Sequence, residues 1–104
     1  MKVFIIYVTV GTLKEAQTIG NQLVKDRLAA CINIIDNVNS IYWWNNEINY
    51  DQEVIMIAKT KESLIEDLIA TIKFMHSYDC PCIVQLPIVN GNPQFLDWII
   101  NETK

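Results

Sequence analysis

VFIIYVTVGTLKEAQTIGNQLVKDRL, residues 3–28, changes its hydrophobic period at its middle, and that change decides the fold class. Val3 to Val8 are β-branched and aromatic, the composition of a strand. Gly11 interrupts the run, and Thr12 reads as a helix N-cap with Glu15 three residues on, the spacing of a capping box. Leu13, Ala16, Ile19, Leu23, Val24 and Leu28 then recur at threes and fours, one apolar stripe on a helix. A strand that feeds a helix is the first half of a βαβ unit.

The pattern repeats outward from there. Ala30 to Ile35 reads as a second strand, closed by Asp36-Asn37. Ser40 to Trp44 is aromatic and strand-like, and Asn45-Asn46 is a turn signal, so a hairpin or bent strand continues toward Ile48 and Tyr50. Glu53 to Lys59 is a further strand. Leu64, Ile65, Leu68, Ile69, Ile72 and Met75 are again helix-spaced, with Glu62, Glu66, Asp67 and Lys73 opposite. Ile83 to Leu86 is the last strand, closed by Pro87. Asn92 as N-cap and Pro93 at the first helical position open a short helix with Leu96, Ile99 and Ile100. The order β-α-β-β-α-β plus a helix predicts an α/β chain of the α+β kind. Its architecture is a ferredoxin-like split βαβ with an additional C-terminal helix, one domain over 1–104.

Helices on one side of such a sheet should leave polar residues on the other. These strands do not alternate. Val3, Ile5 and Tyr7 oppose Phe4, Ile6 and Val8, and Val54, Met56 and Ala58 oppose Ile55 and Ile57. Both faces are apolar, with one short helix left to cover the second, which predicts self-association. Eight basic against twelve acidic residues, a net charge of −4, exclude a phosphate backbone as the main partner. No apolar stretch approaches bilayer length. Val3 to Val10 gives way to Thr12-Leu13-Lys14-Glu15 without a small-residue cleavage site, so a strand and not a signal peptide is expected. Three cysteines, an odd number, predict reduced thiols and a cytoplasmic protein.

Arg27-Leu28-Ala29-Ala30-Cys31-Ile32-Asn33-Ile34-Ile35 resembles the RLAACVNI signature of CutA proteins. Four more pieces come in family order: Ser40 to Trp44, Ile57 to Thr60, His76 to Pro81, and Gly91-Asn92-Pro93 through Phe95-Leu96-Asp97-Trp98. The resemblance covers about Val3 to Glu102. It implies a compact homo-trimer with strands paired across subunits, tolerance of divalent cations, copper above all, and no established catalytic reaction. PII-type signalling trimers look similar in architecture, which keeps open a regulatory or scaffold trimer with a small molecule or partner protein in inter-subunit clefts. The family's usual His-Pro-Tyr-Glu is here His76-Ser77-Tyr78-Asp79, and the usual Pro-Glu is Pro81-Cys82. A copper site of some bacterial members falls on Val8, Met75 and His76.

His76, Cys80 and Cys82 form an H-x3-C-x-C cluster beside Met75, a soft donor set suited to Cu(I) or Zn(II). No cofactor is obligatory on this reading; copper or another divalent metal is the expected ligand. The competing reading is a histidine at a helix end followed by two ordinary cysteines. Cys31 reads as a small core thiol sharing a strand face with Asn33 and Ile35. Tyr42, Trp43 and Trp44 are expected at a subunit interface, since the acidic chain offers no basic frame for a base-stacking platform. Glu47, Asp51, Glu53 and Asp79 match no cation-loop spacing.

Overall fold

Thr12 caps the first helix as expected: its side chain accepts the Glu15 amide at 3.1 Å. The other half of the capping box does not form, because the Glu15 carboxylate is drawn to Ser77. The helix also ends earlier than its stripe. It closes at Lys25, where Arg27 takes a left-handed φ of 57°. The Leu28 amide reaches the Leu23 carbonyl at 2.9 Å and the Arg27 amide the Val24 carbonyl at 3.0 Å. That is a Schellman end with arginine in the place glycine usually holds. Leu28 is therefore buried from the connecting turn and not from the helix.

The computed structural model describes residues 2–104; Met1, included in the expected domain 1–104, lies outside the described residues. The elements run β1 (Val3–Val10), α1 (Leu13–Lys25), β2 (Cys31–Trp44), β3 (Glu47–Lys61), a 3-10 turn (Glu62–Leu64), α2 (Ile65–Met75), β4 (Ile83–Pro87) and α3 (Pro93–Asn101). The strands form one antiparallel sheet in the order β2-β3-β1-β4, the ferredoxin-like split βαβ with its added helix. Phe4, Ile6, Val8 and Val10 of β1 join Val54, Met56 and Ala58 of β3 in a core closed by Ala16, Ile19 and Leu23 of α1 and Leu68 and Ile72 of α2. Asn92 caps α3 through the Gln94 amide, with Pro93 next in the chain, and α3 packs on β1 and β3. Val3 and Ile99 are buried outside the helix-side core, and the ion pair between Arg27 and Glu102 at 3.0 Å ties the end of the chain down.

The structure corrects the strand boundaries. Ala30–Ile35 and Ser40–Trp44 are one strand, β2, and the segments around Ile48, Tyr50 and Glu53–Lys59 are one strand, β3. Asp36-Asn37 does not end β2; it bulges it. The register steps from Ile35 opposite Ile55 to Val38 opposite Glu53, and Asn37 takes the extra residue at φ 57° with its amide on the Asp36 side chain. Asn45 and Asn46, at φ 53° and 62°, make the two-residue hairpin turn with both residues left-handed. β1 pairs with β3 only from Val54 to Lys61, so Glu47–Glu53 and Val38–Trp44 continue as a free two-stranded ribbon. It accounts for a longest dimension of 44 Å.

At the core edge Thr60 is fully buried and donates to the Leu28 carbonyl at 2.6 Å. Thr60→Val keeps the shape and strands that carbonyl. The expected loss is about 1–3 kcal/mol, read as a lower urea midpoint with an unchanged slope at fixed protein concentration.

Candidate functional site

The bulge decides what the ribbon presents. With one extra residue in β2, Val38, Ser40, Tyr42 and Trp44 share a face with Glu53 and with the outer face of the sheet. Ile41 pairs with Tyr50 and Trp43 with Ile48 on the opposite face. The aromatic run is thus split: Trp43 lies on one face, Tyr42 and Trp44 on the other. On the Trp43 face, Ile41, Trp43 and Tyr50 are 68%, 71% and 72% exposed.

The Tyr42 face forms one wall of a cleft of about 720 Å³. Tyr7 and Thr9 of β1 make its floor, and Tyr78, Asp79, Cys80 and Cys82 its second wall. Tyr78 donates to Glu53 at 2.8 Å and Tyr42 donates to Asp51. Burial first, then the bond to Glu53, pushes the Tyr78 phenol well above its ordinary value. Tyr42 is raised too, chiefly by its hydrogen bond to Asp51. Gly11 stands where a Cβ would come within 3.3 Å of the Tyr78 hydroxyl, so the missing side chain is what lets Tyr78 lie there.

His76 holds the second wall in place. Its side chain is fully buried, and the Tyr78 amide donates to Nδ1 at 3.0 Å. The ring proton therefore sits on Nε2, which donates to the Thr9 carbonyl at 2.8 Å. Glu15 accepts from both the amide and the hydroxyl of Ser77, at 2.9 and 2.8 Å, and lies 3.6 Å from His76 Nδ1. A proline at 77 could not give that amide bond.

These contacts fix where each expected ligand stands. Both nitrogens of His76 are spent within the fold, and Met75 packs against the helix-side core. Val8 points into that same core and carries no donor atom, so with His76 committed the positions Val8, Met75 and His76 offer no free imidazole or thiolate. Cys80 and Cys82 are free, exposed and in the same cleft. Among the described residues no three His, Cys, Asp or Glu side chains gather around one point, so the set His76, Cys80, Cys82 and Met75 is not brought together. Cys31 does share its face with Asn33 and Ile35, but it is half-buried, with the Lys59 ammonium 3.5 Å from its sulfur. Glu53 and Asp79 reach the cleft, and Asp51 stands behind Tyr42. Tyr7 and Thr9 were legible through strand parity, whereas the Tyr78–Glu53 and Glu15–Ser77 bonds have no local sequence signal.

This is a ferredoxin-like α+β protein with an overlong hairpin and an acidic, thiol-bearing cleft at the hairpin's base. Residues 4–102 match the family model of the CutA1 divalent ion tolerance protein, and the chain belongs to that family. The divalent-cation tolerance protein CutA of Thermus thermophilus is 40% identical over 99 residues, 95% of this chain and 96% of that protein. The Thermus structure superposes with a TM-score of 0.95 at 39% identity, covering 98% and 99% of the two chains. A structure from Archaeoglobus fulgidus, described as a periplasmic CutA, gives 0.94 at 38% identity, again covering 98% and 99%. The rice protein CutA 1, described as chloroplastic, is 37% identical over 100 residues, 96% of this chain and 56% of that protein. The chain thus spans about half the length of its plant relatives. Among the described residues no helix is long and apolar enough to cross a membrane.

The cleft generates two expectations. Because the folded state holds the Tyr78 proton more tightly than the unfolded chain, this contribution is complete below the ordinary phenol pKa of about 10. It is lost as pH climbs through the raised folded value. The alkaline fall in melting temperature should flatten in Tyr78→Phe. His76→Ala strands the Thr9 carbonyl and the Tyr78 amide, at a cost of about 1–3 kcal/mol for each group left buried, measurable by denaturant titration without any metal.

Proposed function

We propose that the chain acts as a non-catalytic homo-trimer in divalent-cation tolerance, holding soft metal ions, copper first, on Cys80 and Cys82. The observation that carries this reading is that both thiols, free and exposed, open into one cleft walled by an uncovered ribbon. Thiolate sulfur favours Cu(I) among biological metals. Two thiols are fewer than the four donors of a closed zinc site, so the chain suits a delivered cargo ion better than a structural one. The ribbon supports self-association: an isolated hairpin is marginal in water, and this one leaves Ile41, Trp43, Ile48 and Tyr50 without cover. Resemblance to CutA supplies the number three. The chain's single histidine is committed to a turn, which supports a role without proton-transfer chemistry. Free thiols fit a reducing compartment, the cytoplasm.

A regulatory trimer similar to PII proteins is the second reading, favoured by the cleft's volume, which lies within the roughly 300–1,000 Å³ of small-molecule sites.

Native mass measurement at micromolar concentration should give three chain masses; a stable folded monomer refutes the assembly. Trp43 is 71% exposed in the single chain, so Trp43→Ala should be nearly silent in a monomer. A concentration-dependent fall in melting temperature in that variant reports a subunit contact. For the metal, reduced wild type, Cys80→Ser, Cys82→Ser and Cys31→Ser are titrated against a Cu(I) chelator. Cys80→Ser and Cys82→Ser should each weaken competition strongly, Cys31→Ser little, and all more weakly at low pH, because thiols must ionise to bind. Equal competition by all four sinks the thiol site.

A further inference from the structure

We infer that the cleft is a receptor for an organic cation, an ammonium group carried on a flat apolar body. Its walls and floor present four aromatic rings, Tyr7, Tyr42, Trp44 and Tyr78, and its charged side chains are Glu53 and Asp79. No lysine, arginine or histidine lines it. The two phenol protons nearest the acids are already given away, Tyr78 to Glu53 and Tyr42 to Asp51. Those bonds orient the carboxylates, whose remaining lone pairs are left to meet a ligand beside the neutral polar groups of Tyr7, Asn39 and Ser40. An anion entering here would find aromatic faces and like charge. An ammonium would find carboxylate oxygens and the negative faces of the rings, which attract cations, most of all when water is excluded. The chain's net charge of −4 adds long-range attraction of the same sign.

The inference rests on the acids and the rings, not on the thiols, so it stands apart from the metal reading. Trp43, Ile48 and Tyr50 of the ribbon lie outside the cleft while Ile41 borders it, so a subunit seated on the ribbon would border the site.

The test uses the full chain as purified, metal-free and reduced, with three probes of one carbon skeleton: 3-phenylpropylammonium, 3-phenylpropan-1-ol and 3-phenylpropanoate. Amide shifts and tryptophan fluorescence are followed during each titration. The ammonium should saturate, with shifts centred on Trp44, Glu53 and Tyr78. The alcohol should bind at least ~10-fold more weakly and the carboxylate not saturate, the scale expected from losing the ion and cation–π contacts. Glu53→Gln keeps an oxygen for the Tyr78 hydroxyl, and should lower ammonium affinity to near that of the alcohol while leaving the alcohol unchanged. Asp79→Asn is the second variant, on an exposed residue, should the first fail to fold. Cys31→Ser, outside the cleft, should bind the ammonium as wild type does. Absence of saturation by the ammonium at millimolar concentration, carboxylate binding as tight as ammonium binding, or selectivity kept in both acid variants overturns the inference. Loss of Cu(I) competition alone leaves it standing.

Discussion

β3 is 15 residues long and its neighbour β1 only 8, and the rest of the molecule depends on that mismatch. Where β1 is present, β3 is an interior strand between two partners, packed under the helices. Beyond Val54 it has β2 alone, and two strands without a third cannot bury an apolar face. The sequence nevertheless loads that stretch with Ile41, Trp43, Ile48 and Tyr50. The fold by itself therefore leaves large apolar side chains open on the ribbon, the feature on which the proposed self-association rests.

The cleft depends on a second arrangement, at the far end of α2. Thr9 lies at the end of β1, His76 just beyond α2 and Glu15 in the first turn of α1. One bond given and one accepted by a buried imidazole, and two accepted by one carboxylate, join the three elements. They set the path of Ser77 and Tyr78, and that path places Tyr78 over Gly11 and against Glu53. The histidine that the sequence offers as a ligand contributes by shaping the wall on which the thiols stand.

Periodicity made the helices, the element order and the apolar outer sheet face legible, because each depends on residues near one another in the chain. The strand lengths were not. Asp36-Asn37 has the composition of a turn, and only the partner strand reveals that the ladder resumes after one surplus residue. That surplus inverts the facing of every later residue in β2. Counted straight through, Trp43 belongs with Cys31 and Ile35; with the bulge it belongs to the other side. The cysteine pair could be found by spacing, since Cys80 and Cys82 flank one residue. Their separation from His76 could not, because both nitrogen partners of the ring, the Thr9 carbonyl and the Tyr78 amide, are backbone groups. Backbone donors and acceptors carry no residue letter.

Ser77 and Glu15 stand 62 positions apart and share two hydrogen bonds, one of them from a backbone amide. A proline at 77 would erase that amide and the serine hydroxyl in a single step, leaving the carboxylate with neither donor. The turn after α2 and the first turn of α1 are thus fastened by one residue pair, and a single substitution at 77 would unfasten both bonds at once. Neither neighbourhood of the chain reveals that contact by itself.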